Sequence, residues 1–107
     1  QGRCGNPADL TMMRDHNAEF KGDIQLAMIE CAFSADPEGC TINNLHASLG
    51  LSDECGMCWV AEGQCTLANC VFQCLDPSSA ACVECSHEKC FPGAVACTGI
   101  PMWRFPP

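Results

Sequence analysis

Residues 55–97 read CGMCWVAEGQCTLANCVFQCLDPSSAACVECSHEKCFPGAVAC, and nine of these 43 positions are cysteine. Outward from this stretch, Cys4, Cys31 and Cys40 bring the total to 12 in 107 residues. That is about 11%, above the level that marks a short disulfide scaffold. An even count is what six bridges need. Bridges persist only where the redox poise is oxidising, so the expected location is extracytoplasmic: the cell exterior, a secretory lumen or a comparable organelle lumen. From Gln1 onward no charged-then-apolar leader is seen, as expected of a chain whose leader has been removed on export.

The cysteines are set among short helical patterns. Ser52 can cap a helix whose first turn holds Asp53 and Glu54, with Gly63 as its end. A further helix is expected over 66–74, stopped by Asp76-Pro77, and another from after Ser78 to about residue 88. A very short one is expected from about Pro92 to Gly99, since proline suits a first turn. Upstream, Phe20, Ile24, Ala27, Met28 and Cys31 make one apolar stripe at helical spacing. Asp15 or Asn17 is its expected cap and Asp36-Pro37 its stop. Ile42, Leu45 and Leu49 share a face over 41–49, closed by Gly50. Residues 1–15, with Gly2, Gly5 and Pro7, read as irregular. Period-two alternation is missing and β-branched residues are sparse. The expected fold is all-α: one small disulfide-rich bundle of short helices and helical hairpins. Residues 1–50 form its N-terminal helical part, 51–99 its cysteine-dense hairpins, and 100–107 an extended apolar tail.

The cysteine spacing carries a partial echo. Cys55-x2-Cys58-x6-Cys65-x4-Cys70 is followed by Cys82-x2-Cys85-x4-Cys90-x6-Cys97, with the inner gaps exchanged. Two related helical hairpins would give this, and so would chance among so many cysteines. A hairpin turning near Gly63-Gln64 pairs Cys55 with Cys74 and Cys58 with Cys70. Cys31–Cys40 then staples the first helix to its exit turn and Cys82–Cys97 closes the last hairpin. Cys4, Cys65, Cys85 and Cys90 stay unassigned.

Formal charge is -8, from 13 carboxylates against five basic side chains. Arg3, Arg14, Lys21, Lys89 and Arg104 are scattered, whereas phosphate binding needs clustered cations. Nucleic acid and anionic membrane are therefore poor partners, while a basic protein surface is a suitable one. No apolar run reaches the length of a membrane span.

Catalytic signals are weak. Cys58 and Cys82 flank 23 residues, near the spacing of a four-cysteine zinc site, but eight other cysteines would go unexplained. Cys55-Gly-Met-Cys58-Trp59 superficially matches a thiol-redox motif without its βαβ setting. His16, His46 and His87 are far apart, and Glu84 and Glu88 read as a solvated helix face. No catalytic residue, metal ligand or cofactor is expected, and bridged sulfur cannot act as a nucleophile. Trp59 and Phe72 are expected in the core. The C-terminal run Ile100-Pro-Met102-Trp103-Arg104-Phe105-Pro-Pro combines stiff prolines with residue types enriched at binding hot spots. Ile100, Met102, Trp103, Arg104 and Phe105 are thus candidate partner-binding residues. Folding of the tail onto its own domain competes with that role.

Leu51-Ser-Asp-Glu-Cys55-Gly-Met-Cys58-Trp59, Asn69-Cys70, Cys82-Val-Glu-Cys85 and Cys90-Phe-Pro-Gly-Ala-Val-Ala-Cys97-Thr-Gly99 carry a family likeness. Over about residues 51–100 the chain resembles cysteine-rich exported domains of algae, especially dinoflagellates, and of other protists. Cys4, Cys31 and Cys40 lie outside that match. It is also loosely similar to ciliate pheromones, which are generally shorter disulfide-linked helical bundles. The resemblance implies a non-enzymatic exported module. The leading expectation is an accessory or structural subunit that docks onto a larger assembly, for an algal chain on the lumenal side of a photosystem. The alternative is a secreted pheromone-like ligand for a cell-surface receptor.

Overall fold

The computed structural model describes residues 2–17, 19–76 and 78–101. Among them are six helices and no strand, the all-α class expected. The first helix is a departure. Asn6 accepts the Asp9 N–H on its side chain, and Pro7 stands at the first helical position. Together they start α1 (Pro7–Asp15) inside a stretch that its glycines and proline suggested would be irregular.

α2 (Phe20–Glu30) follows, with no side-chain cap at Glu19. Its stripe is as expected: Phe20, Ile24, Ala27 and Cys31 are buried and Met28 is partly so. Asp36 does not stop this helix. It caps the next, α3 (Pro37–Leu49), by accepting the Gly39 N–H at 3.1 Å, and Gly50 closes α3 with φ 74°. α4 (Asp53–Asn69) opens on the Ser52 cap as expected but runs straight through Gly63. Gly63 lies under α2: a Cβ there would stand 2.6 Å from Met28 Sδ and 3.9 Å from Ile24. It allows close helix approach and terminates nothing.

The expected helix over 66–74 is thus the end of α4 plus a turn, in which Cys74 N–H still donates to Cys70 O at 2.8 Å. The hairpin bends at Asp76, not at Gly63. Ser78 N–H and hydroxyl both donate to the Asp76 carboxylate, at 3.1 and 2.7 Å. Ser79, one residue later than expected, caps α5 (Ala80–Lys89). α6 (Phe91–Thr98) then ends at Gly99. The N-terminal segment is tied to that end, with Arg3 N–H donating to Cys97 O and Cys4 N–H to Thr98 O.

α4 is the central element and packs against α2, α3, α5 and α6. Trp59 on α4 meets Phe20 on α2 edge-to-face, with ring centroids 5.1 Å apart. Leu45, Leu51, Val60, Ala94 and Ile100 fill in around them. Trp59 is therefore core, as expected. Phe72 is not: it is 82% exposed.

Six disulfides join all twelve cysteines: Cys4–Cys55, Cys31–Cys40, Cys58–Cys97, Cys65–Cys90, Cys70–Cys85 and Cys74–Cys82. Of the expected pairs, Cys31–Cys40 stands. Cys55–Cys74, Cys58–Cys70 and Cys82–Cys97 are replaced. Cys58 lies within α4 and Cys70 caps its far end, about 18 Å along the axis at 1.5 Å per residue. A disulfide needs Cα atoms within about 7 Å.

Four of the six links form a ladder. Their sequence separations of 39, 25, 15 and 8 nest one inside the next. α4 and its extension form one side; α5 and α6, running back, form the other. The exchanged gaps are the mark of this ladder. An antiparallel pairing reads x6 then x4 forwards from Cys58 and again backwards from Cys97, with a last gap of three residues on one side and two on the other.

Candidate docking surface

The ladder ends in a tip that faces outward. Cys70 and Cys82 are buried at its rungs. The apolar residues between and beside the rungs are not. Phe72 is 82% exposed and Leu75 80%, with Leu67 and Val71 also exposed. Leu67, Val71 and Leu75 are four residues apart, so they follow one line along α4 and the turn that extends it. Val83, in the first half of α5, is exposed beside the Cys82 rung. The backbone here has little freedom. Cys70–Cys85 and Cys74–Cys82 clamp both sides, and Ser79 Oγ donates to Gln73 O across the bend at 3.1 Å. Large apolar side chains on a fixed frame are what a contact surface requires, because little order must be gained on binding.

A second exposed set, Leu26, Ile29 and Phe33, lies at the end of α2 and in the turn after it, beside Cys31–Cys40. One short staple holds that set, against two nested rungs at the tip.

The predicted tail residues divide. Ile100 is buried in the core, and its N–H donates to Thr98 Oγ1 at 3.1 Å. Its side chain belongs to the domain's own core cluster. Met102, Trp103, Arg104 and Phe105 lie outside the described residues. Cutting the chain after Pro101 therefore tests the tail while keeping Ile100 in place.

The other sequence motifs take structural places. Cys55, Cys58, Cys82 and Cys85 sit in four different disulfides, so neither the zinc spacing nor the Cys55/Cys58 pair corresponds to a unit of chemistry. Among the described residues no group of three or more His, Cys, Asp or Glu side chains is placed to hold a metal ion. His46 Nδ1 lies 3.0 Å from Leu51 O and 3.8 Å from Asp53 Oδ1, at the α3–α4 junction. His87 stacks on Phe91 with centroids 4.4 Å apart. His16 borders an open hollow of about 370 Å³ between α2 and α3 that also exposes Glu19, Asp23 and Glu30. Glu84 and Glu88 are exposed on α5.

Two carboxyls have displaced titration. Burial pushes Glu62 on α4 upward, opposed by the Thr66 hydroxyl and by the charge of Lys21. The Ser78 hydroxyl and N–H hold exposed Asp76 below the usual carboxyl range. Asp76 is therefore a full negative charge at neutral pH, at the bend of the tip.

Sequence reasoning missed the tip by assigning Phe72 to the core. The reversed gaps held the signal: once Cys70 and Cys74 face α5, the apolar residues flanking them must face elsewhere. Six disulfides suit an oxidising, extracytoplasmic environment, and among the described residues no helix is long and apolar enough to cross a membrane. Comparison with protein-family models, curated proteins and solved structures returns no match for this chain.

Proposed function

We propose that this chain is a non-enzymatic docking module, an accessory subunit that attaches to a larger assembly in an oxidising compartment through the tip of its disulfide ladder. The observation that carries this reading is the set of large apolar side chains, Phe72 and Leu75 foremost, kept in solvent on a frame braced by two rungs. Twelve bridged cysteines leave no thiol for catalysis, and the scattered cations favour protein over nucleic acid as partner. The segment after Pro101 serves as a second contact, rooted at the opposite end of the ladder beside Cys58–Cys97. For a chain of the algal kind it resembles, the lumenal face of a photosystem is the concrete setting.

Phe72→Ser with Leu75→Ser tests this. Both side chains are exposed, so stability should stay within about 0.5 kcal/mol of the parent. Association with the native assembly should fall at least about 100-fold, the loss of two hot-spot residues. Ile29→Ser with Phe33→Ser, at the other exposed set, should leave it intact. Undiminished assembly of the Phe72/Leu75 variant would refute docking by the tip. Recovery of the parent chain free in the medium, bound only by a cell-surface receptor, would favour the signalling role.

A further inference from the structure

We infer that the partner surface covering the tip is an apolar recess rimmed by Lys and Arg side chains, on a protein other than a second copy of this chain. This rests on the docking reading above and adds the chemistry of the partner. Between residues 66 and 88 the chain carries Asp76, Glu84 and Glu88 and no Lys or Arg. All three carboxylates are exposed, Asp76 on the bend and Glu84 and Glu88 along α5, the helix that also carries Val83. Asp76 keeps its charge through two hydrogen bonds from Ser78. Phe72 and Leu75 supply area to bury, and the acidic rim sets the sign of what approaches.

Charge decides between the occupants. Two copies of this chain meeting at their tips would bring six rim carboxylates together, on molecules of formal charge -8 each. An anionic bilayer is repelled for the same reason. A cationic rim is attracted, and docking against it leaves the apolar centre dry.

The experiment uses the full oxidised chain carrying Phe72→benzoylphenylalanine, added to extracts of its source cells and photolysed. The cross-linked peptide should come from one protein and be flanked by Lys or Arg. With that protein in hand, Asp76→Lys/Glu84→Lys/Glu88→Lys should lower the association rate at least about 10-fold at low salt. The difference should close as ionic strength rises towards about 0.5 M. Glu84→Lys/Glu88→Lys, which leaves the Asp76 bend untouched, should show a smaller effect of the same sign and salt dependence. Cross-links to a surface without basic residues, or unchanged association rates in both variants, would overturn the basic partner while leaving docking intact. Cross-links to a second copy would do the same. Cross-links to lipid only, or none, would overturn docking itself.

Discussion

Asp9 shows what one side chain does in so small a core. It is 1% exposed, on a helix that the composition of residues 1–15 gave no reason to expect. Its carboxylate accepts from Ser52 N–H at 2.8 Å, Ser52 Oγ at 2.6 Å and Asn6 Nδ2 at 2.6 Å. Ser52 is also the cap of α4, and the Cys4–Cys55 bridge joins the segments before α1 and at the start of α4. One acid thus locks the N-terminal segment to the central helix across 43 residues of sequence. Asp9→Ala removes three partly buried hydrogen bonds to a carboxylate and should cost about 2–4 kcal/mol in denaturant unfolding of the oxidised protein. Glu62 behaves in the opposite way. Its folded-state titration is raised by burial, so its protonated form favours the fold. That contribution is present below the ordinary carboxyl range and lost as pH rises through the raised value. Glu62→Gln should match the parent in stability below pH about 4 and exceed it at neutral pH, with the gap opening between. A gap independent of pH would contradict burial as the cause.

Most helices could be read from residues that begin or end them. Ser52, Gly50 and Gly99 stand where capping chemistry puts them. The misreadings came from residues whose role depends on a neighbour far along the chain. Gly63 has the look of a terminator until Met28 is seen against it. Asp36-Pro37 reads as a stop for one helix and is the start of another. Placing the turn at Gly63 then misplaced Cys55–Cys74 and Cys58–Cys70 and hid the tip. Cys31–Cys40 survived because its loop is local, with a separation of nine residues. The ladder has its own energetic logic. A lone loop the size of Cys74–Cys82 stabilises by about 2.5 kcal/mol in the chain-entropy model. Once it is closed, each outer rung closes only a short additional loop, so the four contributions do not sum. Cys74→Ala with Cys82→Ala should leave α1 to α4 folded and free the bend. Amide exchange should rise over residues 71–81 and remain slow around Trp59. Fast exchange throughout would mean that the tip rung holds the whole domain.

At the scale of the molecule, the core is modest and the covalent frame does much of the holding. The described helices run from 8 to 17 residues, lengths that are marginal alone in water. Five of the six disulfides reach α4 or the residues just beyond it, and the sixth joins α2 to α3. The aromatic contact of Phe20 with Trp59 binds α2 to the same helix. This arrangement lets a 107-residue chain keep Phe72 and Leu75 outside its core and still fold. The all-α class and the dependence on bridges were legible in composition and spacing. The presenting surface was not, because exposure of an apolar residue follows from which cysteines pair. Pairing is therefore the quantity to measure. The oxidised protein should be fragmented at acidic pH without reduction, where thiolate exchange is suppressed, and its linked peptides sequenced. The ladder predicts Cys58–Cys97, Cys65–Cys90, Cys70–Cys85 and Cys74–Cys82, with Cys4–Cys55 and Cys31–Cys40 outside it. A Cys55–Cys74 or Cys58–Cys70 peptide, or free thiol at any of the twelve positions, would contradict it.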